Sequence, residues 1–422
     1  MKKQVLEQIQ KMFGKALAAI AQSYLEKFQP RVVVIAGSVG KTSTTQAITT
    51  VLDEHFNVRT THANYNTATG VPLSILGEKF PVSRLGWALL LPRMWLRAQK
   101  RQSFNMLVLE IGTDHPGELQ QFAYLHPELG IVTAIAPEHM EFFGTLDTVA
   151  AEELSIGSFC EQLLINRDTV RPTFIKKYAG KTAHFIGSQT DYRITNSSGK
   201  TLDLLCGPLK LKSISTHLVG RHSWYSMLVA ATVAQLLGMD EKSIRRGLQN
   251  VKPIPGRMQL LDGRKHSKVI DDTYNSSPEA AIAALNTLYE LPGKQHIALL
   301  GSMNELGKTS ALAHRTLGNY CDPAKLDLVV TLGKDANKYI ARAARQRGCE
   351  VIEAATPYAA AEIILQNLKS HAVVLAKGSQ NGVFAEEAVK LLLKKQTDYT
   401  KLVRQTPYWL ATKRIAFTDA PK

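Results

Sequence analysis

Residues 31–52, RVVVIAGSVGKTSTTQAITTVL, decide the fold. Arg31–Ala36 reads as a buried strand, because apolar and β-branched residues follow one another without polar alternation. Gly37, Ser38, Val39 and Gly40 break that strand, and Lys41, Thr42 and Ser43 open a helix running to Leu52. A strand, a glycine turn and a helix N-terminus in that order aim backbone N–H groups and a helix dipole at phosphate oxygens. Lys41 is placed to reach terminal phosphates and the Thr42 hydroxyl to bind Mg²⁺. The long G-x-x-x-x-G-K-[ST] pattern would want glycine at Ile35; the shorter G-x-x-G-K-[ST] form is present instead. These residues predict a nucleoside triphosphate site.

Outward from this loop, the chain has 422 residues, enough for two or three domains. Hydrophobic residues make up 45% and charged ones 21%, the composition of an ordinary globular protein rather than a disordered one. The first residues are amphipathic and lack a clean apolar core, so no signal peptide is expected. Cys160, Cys206, Cys321 and Cys349 are far apart and form no CxxC pair, which predicts reduced, incidental thiols in a cytoplasmic protein. The net charge of +15 suits nucleic acid, an anionic membrane surface or a polyanionic small substrate. No basic run is interleaved with aromatics, so a nucleic-acid partner is not expected. Leu85–Leu96, LGWALLLPRMWL, is too short and proline-broken to span a bilayer. It reads as a partly buried helix pair, with contact to a membrane surface as the sharper alternative.

Residues 1–30 predict one amphipathic helix, with Leu6, Ile9, Met12, Phe13, Leu17 and Ile20 at helical spacing and Pro30 at its end. A central domain is expected over 31–252. Its apolar strands alternate with helices, Asn105–Ile111 and Gly130–Ile135 among them, as in a parallel α/β sheet. Polar-alternating strands over about 183–216 predict an antiparallel excursion, followed by helices at 221–237 and 240–250. The linker Val251-Lys252-Pro253-Ile254-Pro255-Gly256 separates this from a second α/β domain at 253–395 with Rossmann-like rhythm, its strands starting near Lys268, His296, Leu328 and Ala372. A basic tail, 396–422, completes the division.

Glu110 ends the strand NMLVLEI, at the ligand edge of a parallel sheet. The next strand leads into Ala136-Pro137-Glu138-His139-Met140-Glu141, a second strand end carrying an imidazole and carboxylates. Oxygen ligands and a neutral imidazole near a phosphate loop suit a second Mg²⁺. His139 alone reads equally well as a hydrogen-bonded loop histidine. In the second domain, Asp271 and Asp272 followed by Thr273–Pro278 form a strand end, and by themselves read as a helix cap.

Taken together, GSVGKTST, LEIGTDHPGE, EHMEFFGTL, VGRHS, PGRM, IDDTYNSSPEA, LLGSMNELG with His314, and Lys377-Gly378-Ser379 resemble the Mur ligases over about residues 31–395. Within them the resemblance is to the MurF type, which joins D-alanyl-D-alanine to a UDP-N-acetylmuramoyl tripeptide. The resemblance implies an ATP-dependent amide ligase of peptidoglycan synthesis, working through an acyl phosphate. It implies Thr42, Glu110 and His139 as Mg²⁺ ligands. Arg257 and Asp272 correspond to positions that contact phosphate and ribose across the two domains, so that closure over ATP would complete the site. Asn64 and Asn66 lie in the precursor-side loop, and Tyr274, Asn275 and Ser276 in the amine pocket. A monomer is expected.

Three departures from the family pattern stand out. Its carbamylated lysine falls on Glu153, a ready-made carboxylate that either reaches the second Mg²⁺ or is a solvated helix residue. The His-Asn pair that reads adenine is His222-Ser223, which loses an amide, and Ser302 replaces an acidic residue. The small domain that holds the UDP end is not recognisable before the phosphate loop, so the acid is expected to be held differently, or to be lipid-linked or unrelated. Two other readings remain open: a ligase of the same fold acting on another acid, of the folylpolyglutamate or cyanophycin type, and a regulatory subunit that binds ATP without ligating.

Overall fold

A computed structural model describes residues 2–61, 65–179, 183–198 and 200–417. The chain divides into two compact units, Met1–Ala136, Phe142–Thr216 and Tyr225–Val251 forming the first, and Pro137–Glu141, His217–Trp224 and Lys252–Lys422 the second. The boundary near residue 252 falls in the Pro-Gly linker, but two short segments of the central sequence belong to the second unit.

The first unit is built on a nine-stranded sheet, ordered β2-β3-β1-β4-β5-β6-β7-β8-β9. The strands are β1 (Arg31–Ala36), β2 (Val58–Thr60), β3 (Met106–Glu110), β4 (Leu129–Val132), β5 (Gln162–Asn166), β6 (Ala183–Ile186), β7 (Tyr192–Ser198), β8 (Thr201–Cys206) and β9 (Leu209–Ser215). Pairing is parallel from β2 to β7 and antiparallel across β7, β8 and β9, the excursion expected from the alternating pattern. The central strands are buried on both faces, as their unbroken apolar runs require. β1 lies between β3 and β4, so chain order reverses direction at β1. Ligands of open parallel sheets bind at the carboxyl ends of strands beside such a switch point.

Helix α1 (Lys2–Phe28) is part of this unit rather than a separate element: Leu17, Ala21 and Tyr24 are fully buried, and the Tyr24 hydroxyl accepts the Gln102 N–H at 3.1 Å. Helices α2 (Lys41–Leu52) and α3 (Gly70–Leu76) follow β1 and β2, and α4 (Arg84–Ala88) and α5 (Leu90–Ala98) are the helix pair expected at LGWALLLPRMWL.

The second unit carries a six-stranded sheet, ordered β10-β11-β15-β12-β13-β14. Its strands are β10 (Gln259–Asp262), β11 (Lys268–Asp272), β12 (His296–Gly301), β13 (Leu328–Leu332), β14 (Val351–Ala354) and β15 (Val373–Lys377). Only the β10–β11 pair is antiparallel. One apolar core, with Leu299, Val330, Val374 and Leu392, covers one side; another, with Ile270, Leu285, Leu300 and Leu375, covers the other. Residues 396–417 are integral to this unit. Lys413, on the helix Pro407–Ala416, is 2% exposed and bonds Glu386 and Glu387 at 2.9 and 2.6 Å.

Candidate active site

The phosphate loop is held by its own backbone constraints. Gly37 and Gly40 have φ of +121° and +88°, and a Cβ at Gly37 would stand 2.9 Å from the Ala134 nitrogen. From the end of β4, the Thr133 hydroxyl donates to the Val39 carbonyl at 2.7 Å, and Ser38 N–H donates to Ala134 O at 2.9 Å. Lys41 Nζ donates back to the Gly37 carbonyl, which curls the side chain over the turn. The N-cap of α2 is Gly40, which has no side chain with which to cap the helix, and the first turn contains no acid. The positive end of the α2 dipole thus lies at the phosphate loop with no acidic side chain in the helix's own first turn to offset it.

Buried carboxylates fasten this loop and its neighbour. Glu153, on the helix Leu146–Leu154, is 1% exposed and accepts the Gly37 N–H at 2.6 Å. The solvated reading of Glu153 is thereby corrected: the side chain turns inward onto the phosphate loop. Glu152 takes the N–H groups of Gly117 and Leu119 at 2.6 and 2.7 Å and so holds the TDHPGE turn. Nothing in the sequence marked Glu152, because only the three-dimensional approach of that turn distinguishes it from a surface acid. Glu110 pairs in register with Ile35 at the ligand edge, and its Oε1 accepts from Asn66 Nδ2 at 3.2 Å. Asn64 lies outside the described residues.

His139 falls in the short segment belonging to the second unit, with φ of +44°, its Nδ1 3.6 Å from Glu305 Oε2. Among the described residues no group of three or more His, Cys, Asp or Glu could hold a metal by itself. An arrangement in which phosphates and water supply most Mg²⁺ ligands is the usual one for this ion.

In the second unit the IDDTYNSSP turn is pinned from beneath. Lys377, 2% exposed at the end of β15, bonds Asp272 Oδ2 at 2.7 Å and donates to Asn275 O at 2.8 Å. Asp272 Oδ1 accepts the Met258 N–H at 3.1 Å, joining the PGRM segment to the same ion pair. The Arg257 guanidinium stacks 4.2 Å from the Tyr274 ring centroid. Arg404, from the tail, donates to the carbonyls of Thr273 and Tyr274 at 2.6 and 3.0 Å. Ser379 Oγ donates to Ser276 O at 3.2 Å and accepts the Asn304 N–H at 3.0 Å, tying the GSMNELG turn to the same place. His314 is wholly buried; Nε2 accepts the Met303 N–H at 2.9 Å and Nδ1 bonds Ser310 O at 2.8 Å. That pattern needs a neutral ring with its proton on Nδ1, and burial lowers its pKa accordingly. Ser302 Oγ accepts the Ala336 N–H at 3.1 Å, a cap rather than a charged contact. Ser223 sits in the first turn of the helix Arg221–Leu236, its N–H on Gly220 O at 3.0 Å.

The family models of the Mur ligase middle domain and the Mur ligase glutamate ligase domain match residues 35–234 and 256–380. The chain belongs to the Mur ligase family. Members are ATP-dependent ligases, and this chain is one. A UDP-N-acetylmuramoyl-tripeptide–D-alanyl-D-alanine ligase of Escherichia coli K12 is 26% identical over 77% of this chain and 68% of its own length. The ligase of the same name from Bacillus subtilis 168 is 26% identical over 90% and 79%. The structure of the MurF ligase of Thermotoga maritima in complex with ADP superposes with a TM-score of 0.72 at 22% identity, covering 92% of this chain and 84% of that one. The Mur ligase fold accounts for the parallel sheets of both units. No helix among the described residues is long and apolar enough to cross a membrane.

Proposed function

We propose that this Mur ligase joins D-alanyl-D-alanine, or a closely similar amine, to a muramoyl-peptide acid during peptidoglycan synthesis in the cytoplasm. What carries the reading is a complete phosphate loop on β1 in a chain whose relatives bear that activity in their names. The acid's carboxylate attacks the γ-phosphorus of ATP, releasing ADP and leaving an acyl phosphate. The free amine then attacks the acyl carbon, phosphate departs, and an amide forms.

Each step asks the protein to bring anions together. Lys41 and the positive N-terminal end of α2 neutralise phosphate oxygens as charge shifts onto them. Mg²⁺, when bound with the nucleotide, supplies further charge neutralisation, and the hard oxygens of Thr42 and Glu110 are this chain's donors for it. Glu153 is assigned to the loop, whose entrance it holds through Gly37, in place of the lysine carbamate of other family members. Asp272 and Arg257 are assigned to nucleotide contacts, and Tyr274, Asn275 and Ser276 to the amine.

Phosphate release and product mass, read together with UDP-N-acetylmuramoyl tripeptide and D-alanyl-D-alanine each omitted in turn, test the reading. Turnover that needs both, with a product one dipeptide heavier, is expected. Turnover only with a folate and glutamate would move the chain to the folylpolyglutamate type.

A further inference from the structure

The α4–α5 pair has apolar side chains on both of its sides. Leu90, Met94 and Ala98, at i, i+4 and i+8, are buried, and α5 packs there beside α1. The outer side of a helix on a water-facing surface is normally polar. Here it carries Leu89, Trp95 and Leu96, 47%, 56% and 59% exposed, joined by Leu85 and Trp87 from α4 and Val82 before it. Contiguous exposure of this kind, two tryptophans included, marks an interaction surface.

Charge identifies the partner. Between Glu78 and Glu110 there is no acidic residue, whereas Lys79, Arg84, Arg93, Arg97, Lys100 and Arg101 are all basic. Glu78 is buried and pairs with Arg93 and Arg97 at 2.6 and 2.8 Å, leaving Lys79, Lys100 and Arg101 exposed around the patch. A cleft of about 460 Å³ opens beside α4, lined by Lys79, Phe80, Arg93 and Arg97. A second copy of the chain in a two-fold contact would set these cations against their own equivalents, which costs affinity. An anionic lipid surface accepts the same face without conflict: tryptophan and leucine enter the headgroup boundary while lysine and arginine reach the phosphates. We propose that the α4–α5 face is an interfacial docking site for anionic phospholipid membranes, lying flat on the surface.

Co-sedimentation of the full chain with vesicles of phosphatidylcholine alone, or of equal parts phosphatidylcholine and phosphatidylglycerol, tests it. Binding to the mixed vesicles only, weakened by salt and accompanied by a blue shift of tryptophan emission, is expected. Leu89→Ser/Trp95→Ser/Leu96→Ser should weaken partitioning at least about tenfold. Lys79→Glu/Lys100→Glu/Arg101→Glu should do the same, since each surface cation is worth about fivefold. Circular dichroism and melting show whether either variant folds. If one does not, quenching of wild-type tryptophan by brominated acyl chains decides. Wild-type protein that stays in solution with mixed vesicles, binds both lipids alike, or escapes bromine quenching overturns the proposal. So does apolar-variant binding at the wild-type level, or a concentration-dependent dimer that this variant abolishes.

Discussion

Glu153 Oε2 accepts the Gly37 N–H at 2.6 Å, so the first residue of the phosphate loop hangs from a buried carboxylate 116 positions later in the chain. Removing that acceptor leaves a buried amide without its partner, a loss of about 1–3 kcal/mol. Glu153→Ala should therefore lower the melting temperature and weaken ADP binding together, both read by calorimetry. Glu153→Gln keeps an acceptor oxygen and should retain most of the stability. A carboxylate needs no CO₂ to exist, so wild-type turnover is expected to be the same with bicarbonate added or rigorously removed. A strict requirement for bicarbonate would refute the assignment.

Lys41 and the first turn of α2 are the groups proposed above to act on phosphate charge. Lys41→Ala should leave folding intact, because Lys41 is not part of the core, and reduce kcat by about 10²–10³, the usual cost of losing one preorganised transition-state donor. Gly37→Ala differs in kind. Its Cβ would press on backbone 2.9 Å away at a φ of +121°, so lost stability should accompany lost turnover. Denaturant melts of both variants separate the two effects.

The phosphate loop was legible because its function and its backbone geometry demand the same residues: glycine at positive φ, then lysine at a helix start. The α/β alternation was legible for a similar reason, buried parallel strands being unbroken apolar runs. What stayed hidden depends on long-range approach. Glu152 looks like any acid on a helix until the TDHPGE turn is seen against it, and the family resemblance that singled out Glu153 left its inward contact with Gly37 unread. The tail read as a basic extension because lysine and arginine suggest solvent, yet Arg404 and Lys413 bury their charges against Glu386 and Glu387. Likewise, His139 sits at a strand end in sequence, but its segment belongs to the second unit.

Asp271 gives the second unit a pH dependence with a definite sign. The side chain is fully buried, and desolvation pushes its carboxyl up to about 7, against the opposing pull of the Thr273 hydroxyl, 2.6 Å away. Between about pH 4, near the unfolded value, and pH 7, the native state holds a proton that the unfolded state has released. Stability should therefore be highest toward the acidic side of that window and fall as pH rises through it. Asp271→Asn, isosteric and uncharged, should flatten this slope in urea melts taken across the range. An unchanged slope would show that another group carries it.

Lys413 is the tail's anchor. Its ammonium lies within 2.9 Å of both Glu386 and Glu387, and Arg404 pairs with Glu386 as well, at 2.7 Å. All four side chains are almost wholly out of water, so the cluster is stable only while its charges balance. Taking one cation from a buried cluster typically costs about 3–5 kcal/mol, because the remaining carboxylates keep their desolvation penalty without its compensation. Lys413→Met preserves length and packing while deleting the charge, and should lose stability on that scale by chemical denaturation. The double change Lys413→Met/Glu387→Gln removes one carboxylate along with the cation, leaves Glu386 paired with Arg404, and should recover part of the loss. Recovery would locate the penalty in electrostatics; an equal or greater loss would locate it in the packing of the Pro407–Ala416 helix.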